Sequence, residues 1–371
     1  MLACSRGFAP AIRYRRTMAC VVHALKTTDR SRLVELMVAA LRAGELVVLP
    51  TETVYGLAML PSHPTAGDRG RAMKGRGDVL PYTWHLARAQ DAERLVPLVP
   101  AEVRRLVDRY WPGPLTVILP DGKGGSHGLR VPAHDFTREV IAACGEPLWM
   151  TSVNRHGEPP LGTATAIAQT FANEIAIVVD DGPSPLGIAS TIVRQTGPRL
   201  EVLREGILTA EEVLHTAARL VLFVCTGNTC RSPLAAAWAR ELVGKALGVP
   251  PGDVLAHGLQ FASAGTATMD GMPASDGSLA VGAECGLLLD RHQSQAVTAE
   301  LLARSSFVYC LAQSHRRALL AEFPEVAAKV QLLRLDGLDI ADPYGRDLNV
   351  YRRTRDEIRT MVQSRLRDWL P

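Results

Sequence analysis

The stretch LVLFVCTGNTCRSP at Leu220–Pro233 decides how the second half of the chain is read. Leu220–Val224 is apolar, too short for a helix and free of turn formers, the pattern of a strand buried in a parallel sheet. Ser232 is placed to cap a following helix, and Pro233 to take its first position, where a missing N–H costs nothing. Between strand and helix, Thr226, Gly227, Asn228, Thr229 and Cys230 form a tight loop whose amides converge with the helix N-terminus on one point, an anion site. Cys225 at its rim feels the helix dipole and Arg231, both of which favour the nucleophilic thiolate. Arg231 offers a planar fork matched to two phosphoryl oxygens. A thiolate facing a bound phosphoryl group implies a phosphocysteine intermediate. A bare Cys-x5-Arg recurs by chance, and it is the strand before and the helix after that give this one its meaning.

Downstream, strands and helices alternate: a strand near Gln260–Ala262, a helix over Ala274–Cys285, a strand at Phe307–Cys310, and helices over 315–321 and 350–369. This predicts a doubly wound parallel sheet with ligand loops at the carboxyl ends of its strands. One such loop is Asp339-Ile340-Ala341-Asp342-Pro343-Tyr344-Gly345. Asp342, on a Pro-bounded turn, suits a general acid for the leaving group and then a base for water.

At 371 residues the chain exceeds a single-core size, and its 41 basic and 38 acidic residues nearly cancel, so no large nucleic-acid footprint is implied. No apolar stretch approaches a membrane span. Seven sparse cysteines point to a reducing cytosol and a cytoplasmic location. Residues 1–22, Arg-rich at the start, read as a disordered tail. A domain boundary is expected at about 216, giving units 23–216 and 217–371.

The first unit mixes helices (Ser31–Ala43, Ala101–Tyr110, Ala164–Phe171) with strands (Leu46–Leu49, Leu115–Leu119, Ile175–Val179). Polar islands interrupt it: Pro50–Gly56, Lys74-Gly75-Arg76 with Pro81 and His85, Arg130-Val131-Pro132, Thr151–Asn154 and Ser190-Thr191. Hydroxyls, amides and separated cations on turns fit a site for a polyphosphate and a small polar metabolite. Neither a Walker motif nor G-x-G-x-x-G is present, so the residues alone give an anion or nucleotide site or scattered surface turns.

From Leu220 to the end, through CTGNTCRSP, Ser263–Thr266, Asp290-Arg291-His292 and Asp342-Pro343-Tyr344, the chain resembles the low-molecular-weight phosphotyrosine phosphatases. The resemblance implies a four-stranded parallel sheet, Cys225 as nucleophile, Arg231 as phosphate clamp, Asn228 and Ser232 as organisers and Asp342 as proton donor, with no cofactor. It also implies that Cys230 can trap an oxidised Cys225 as a disulfide. Thr229 and the tail DPYGRDLNVYRRTRDEI resemble the protein-arginine phosphatase branch, whereas Tyr344 suits a tyrosine phosphatase. An arsenate reductase would need a cysteine relay, and Cys285 and Cys310 are not closely spaced.

Residues 24–212 resemble the YrdC-like threonylcarbamoyl-AMP synthases through PTETVYGLA, KGR, WPGPLT, RVP, S-x-N and Leu203–Gly206 in order. That resemblance implies a twisted mixed sheet and the joining of L-threonine, bicarbonate and ATP, with Mg2+, into an adenylate for adenosine 37 of tRNA. It places Lys74, Arg76, Ser152, Asn154 and Arg204 on ATP, and Thr53, His85, Arg130 and Ser190 around threonine. The expected partners are these substrates, tRNA with its transfer machinery, and a phosphorylated protein, with no membrane. KGRG, Leu80, Val153, His156 and Tyr82-Thr83-Trp84 depart from the usual motifs. They leave open a non-catalytic RNA-binding module as the alternative.

Overall fold

The computed structural model describes residues 19–23, 29–75 and 81–370. One compact unit ends at Val213, and a second runs from Leu214 and also takes in Pro198–Leu200. The first contains strands β1 (Cys20–His23), β2 (Val47–Leu49), β3 (Gly56–Met59), β4 (Thr83–His85), β5 (Leu115–Pro120), β6 (Ser126–Arg130), β7 (Leu148–Ser152), β8 (Ile177–Asp180), β9 (Thr191–Thr196) and β10 (Arg199–Arg204). Its helices are α1 (Arg30–Arg42), α2 (Ala66–Lys74), α3 (Ala101–Tyr110), α4 (Asp135–Cys144), α5 (Ala164–Thr170) and α6 (Ala210–Ala217), the last running across the boundary.

These strands make one mixed sheet in the order β1-β8-β2-β3-β7-β4-β6-β5-β9-β10. Alternation within β2 explains its continuous apolarity. Val47 and Leu49 pack with Met37, Leu41, Val140 and Ile141 of α1 and α4, while Val48 packs with Met73, Ile167 and Phe171 on the opposite face. Both faces are covered, so neither can be polar. Cys20–Val22, assigned above to a disordered tail, are instead ordered in β1, which pairs in parallel with Ile177–Asp180. Their register continues the sheet past β8. The rest of the supposed tail, residues 1–18, lies outside the described residues.

The second unit has strands β11 (Arg219–Cys225), β12 (Leu259–Gly265), β13 (Ser305–Cys310) and β14 (Val330–Leu332), all parallel in the order β12-β11-β13-β14. Its helices are α7 (Arg231–Leu247), α8 (Asp276–Ala283), α9 (Ala299–Arg304), α10 (Gln313–Glu322) and α11 (Leu348–Trp369). On β11, Val221 and Phe223 face α7 and α11, while Leu222 and Val224 face the side carrying α9 and α10. This is the expected doubly wound arrangement. The helix expected over Ala274–Cys285 is shorter, because Ser275 caps it by accepting from Ser278 N.

α7 begins at Arg231, two residues earlier than the Ser-Pro signal suggests, with Cys230 at its N-cap. Ser232 is therefore not the cap. It lies inside the first turn, where its hydroxyl serves the cysteine.

Candidate active sites

In the second unit, the loop after β11 is held from outside. Cys225 O accepts from Thr266 N (2.9 Å), Thr226 O from Ala267 N (3.0 Å) and Thr229 O from Ser275 N (2.9 Å). Gly227 O accepts from Thr268 Oγ1 (2.8 Å) and Asn228 O from His292 Nε2 (2.6 Å). A planar trans peptide directs its N–H opposite to its C=O. Five carbonyls pinned outward therefore turn the following five amides inward, which builds the anion cradle.

Asn228 has φ 52°, left-handed in a residue that tolerates it. Its Nδ2 donates to Ser232 Oγ (2.9 Å) and Ser263 Oγ (2.8 Å), and its Oδ1 accepts from Gln295 N (2.9 Å). Since Ser232 Oγ accepts from Asn228, its own proton can go to Cys225 Sγ, 3.0 Å away, with Ala264 O a longer alternative at 3.5 Å. Arg231 is buried, donating from Nη1 to Ile340 O (3.0 Å) and from Nη2 to Asp342 Oδ2 (2.6 Å). Its Nε is buried with no protein partner. Cys225, Thr226, Gly227, Thr229, Cys230, Arg231, Asp342 and Tyr344 all line a cavity of about 380 Å³. Asn228 and Ser232 stand behind it.

Two residues here carry no motif signal. His315, buried, lies 3.0 Å by Nε2 from Thr226 Oγ1. Burial, with help from the Arg231 charge, pushes its pKa down to about 4. Tyr351 OH lies 3.7 Å from Cys230 Sγ, whose thiol donates to Ser275 Oγ at 3.2 Å. Both stand far from the loop in sequence, and only their places on α10 and α11 bring them to it. Of the relay cysteines considered above, Cys310 is buried in β13, with its thiol pushed up to about 12, and Cys285 is exposed.

In the first unit, strand ends converge on a cavity of about 350 Å³ lined by Thr51, Thr116, Thr151, Ser152, His85, Arg130, Ser190 and Arg204 among others. β4 alternates, so Thr83 and His85 face the cavity while Trp84 packs on Trp149 and His127; Tyr82, just before the strand, packs in the core and also borders the cavity. Of the departures around His85, Trp84 thus lies away from the site, while Tyr82 and Thr83 border it. Arg130 Nη2 donates to Glu52 Oε1 (2.7 Å) and Thr53 Oγ1 (2.8 Å), and its Nε to Gly113 O (3.2 Å). Arg204 donates to Ser190 O (2.8 Å), and Ser190 Oγ lies 2.9 Å from Thr116 Oγ1. Burial, then the Arg130 charge, lowers the pKa of His85 to about 3, so its imidazole is neutral.

Five of the nine residues expected here line the cavity. Three stand behind its wall. Lys74 Nζ donates to Ser152 O (2.7 Å) and Asn154 Oδ1 (3.0 Å), Asn154 Nδ2 closes its own loop onto Glu158 O (2.7 Å), and Thr53 buttresses Arg130. Arg76 and Leu80 lie outside the described residues. Thr116 and Thr151, inside the motifs quoted above, line the cavity too, and their inward strand positions are the signal that finds them. Among the described residues no carboxylate lines the cavity. Among the described residues no helix is long and apolar enough to cross a membrane.

A family model described as "Telomere recombination" (Sua5, YciO, YrdC) matches residues 39–206, and one described as "Low molecular weight phosphotyrosine protein phosphatase" matches 220–369. A putative threonylcarbamoyl-AMP synthase of Mycobacterium tuberculosis is 33% identical over 194 residues, 50% of this chain and 89% of that one. A protein-arginine-phosphatase of Geobacillus stearothermophilus is 36% identical over 147 residues, 38% of this chain and 90% of that one. The chain spans about half (54%) of a longer threonylcarbamoyl-AMP synthase of Pyrococcus abyssi, at 34% identity over 47% of this chain. A solved structure of a P. abyssi Sua5 variant superposes with a TM-score of 0.50 at 26% identity, covering 56% of this chain and 71% of that one. The chain belongs to the Sua5/YciO/YrdC family in its first part and to the low-molecular-weight phosphotyrosine phosphatase family in its second.

Proposed function

We propose that the second unit is a cysteine-dependent protein phosphatase that prefers phosphoarginine, and that the first makes threonylcarbamoyl-adenylate. The observation that carries the first reading is the ring of outward-pinned carbonyls around Cys225, with Ser232 Oγ 3.0 Å from the sulfur. In this reading the sulfur of Cys225 attacks phosphorus as the bond to the leaving nitrogen breaks, and Asp342 protonates that nitrogen. Asp342 then takes a proton from water, whose oxygen displaces the sulfur and releases phosphate. Inward amides and Arg231 meet the equatorial oxygens, which carry the developing charge.

The arginine preference is supported by the Geobacillus relative and by Thr229, whose side chain lines the cavity. Comparing phosphoarginine and phosphotyrosine peptides tests it. Wild type should favour phosphoarginine, Thr229→Ile should erase that preference, and Cys225→Ser should lose both activities. An unchanged preference in Thr229→Ile would remove the specificity argument.

For the first unit, Arg204 and the hydroxyls of Thr116, Thr151 and Ser152 suit a triphosphate, while Arg130, neutral His85 and Ser190 suit an amino acid. Threonine carbamate would attack the α-phosphorus as pyrophosphate leaves, positioning supplying most of the acceleration. The adenylate would then serve tRNA modification. ATP, threonine and bicarbonate should yield pyrophosphate with the wild-type protein and far less with Arg204→Ala; equal yields would dismiss the synthase reading.

A further inference from the structure

Outside both candidate sites, the second unit holds a cavity of about 350 Å³ behind the phosphate loop. Arg240 on α7, Phe261 on edge strand β12, and Leu289, Arg291 and His292 on the loop before α9 form its walls. Arg240 is half-buried and donates from Nη1 to Phe261 O at 3.1 Å. Among the described residues no acidic one lines the cavity. No ion pair among the described residues involves Arg240 or Arg291. A guanidinium held partly out of water with no counter-charge is unfavourable, and an anion in the cavity would offset that cost. In line with this, burial lowers the pKa of Arg240, and burial followed by the Arg240 charge lowers that of His292.

We propose that this cavity binds a small phosphate-bearing anion with an apolar substituent and passes its occupancy to the phosphate loop. Two guanidiniums suit the dianion, and Phe261 and Leu289 give the substituent an apolar floor. The transmission route is short. His292 Nε2 donates to Asn228 O at 2.6 Å, and Gln295, which also lines the cavity, donates its backbone N–H to Asn228 Oδ1 at 2.9 Å. Among the described residues Asn228 is the one non-glycine residue with a left-handed φ, and it holds Ser232 against Cys225. An anion beside His292 favours its imidazolium, strengthens its bond to Asn228 O, and so stiffens the conformation that aims the loop amides inward. The transmission rests on the phosphatase reading; the binding does not.

The test uses the full chain and phenylphosphonate, which no phosphatase hydrolyses. Calorimetric titration of wild type should contain a saturable component that weakens at least tenfold in Arg240→Gln and in Arg291→Gln, as loss of one charge-assisted hydrogen bond requires. Arg291 is exposed, so its replacement leaves the fold intact, and Arg240→Lys should retain part of the binding. Identical isotherms in wild type and Arg291→Gln would overturn the site. With an aryl phosphate substrate, phenylphosphonate should add a non-competitive effect to competitive inhibition in wild type and be purely competitive in Arg291→Gln. Pure competition in both would overturn the transmission. A wild-type chain with no phosphatase turnover would fail the functional reading instead, and calorimetry alone would then decide the site.

Discussion

Replacing Asp342 with Asn should move catalysis and binding in opposite directions. Arg231 Nη2 lies 2.6 Å from Asp342 Oδ2, with the arginine side chain 6% and the aspartate 49% exposed. A phosphoryl dianion clamped by that guanidinium lies close to the carboxylate and is repelled by it. Unit charges about 4 Å apart interact by about 1 kcal/mol in water and about 4 kcal/mol at an effective dielectric of 20. Asp342 is half exposed, so the lower part of that range applies, about 1 kcal/mol. Asp342→Asn should therefore bind inorganic phosphate about fivefold more tightly. The same change removes the proposed proton donor and should lower kcat by about 10²–10⁴-fold. Steady-state kinetics on a phosphoarginine peptide, with phosphate as competitive inhibitor, read both numbers. An unchanged kcat, or weaker phosphate inhibition, would refute the assignment of Asp342 as an acid that also opposes the bound anion.

His315 makes the stability of the second unit pH-dependent. Its folded pKa of about 4 lies below the ordinary 6.5, so its contribution is complete above 6.5 and is lost as pH falls toward 4. The full loss is roughly 3 kcal/mol; His315→Gln should flatten that slope in thermal melts, and an unchanged slope would sink the argument. Arg130→Ala strands the Glu52 carboxylate and should cost the first unit about 3–5 kcal/mol in denaturant unfolding, with much of it recovered by adding Glu52→Gln. Asn228→Gly and Asn228→Ala should both lower phosphatase kcat, but the alanine chain should be less stable by about 1 kcal/mol, since only glycine adopts the left-handed φ without cost. Equal stabilities would mean that the loop relaxes out of that conformation.

What could be read from the residues was local. An apolar run bounded by Thr-Gly, followed by Ser-Pro, specifies strand, loop and helix because each signal acts within a few residues. The helix start was misplaced for a physical reason: the Ser232 hydroxyl that signals a cap is spent on Cys225 and Asn228, and the backbone turns helical before it. Short elements such as β14 and α9 have too few residues to establish a period. Cys20–Val22 looked like tail because an edge strand of four residues gains its order from Ile177–Asp180, which no local pattern announces. In the first unit, Lys74, Thr53 and Asn154 carry the polarity expected of ligand contacts. The fold spends that polarity on neighbouring strands and loops.

The two sites differ in what holds them. The first is set by inward positions on adjacent strands, so single side chains can change while the backbone keeps its place. The phosphate loop has no ladder of its own. Its carbonyls are held by Thr266, Ala267, Thr268, Ser275 and His292, from segments 36 or more positions away along the sequence. Each missing pin frees a peptide to turn its carbonyl toward the anion, replacing an attractive dipole with a repulsive one. Substitutions at these supports should therefore damage catalysis more than stability, even where they touch no reacting atom, and His292 is the support with the most direct access to a second ligand.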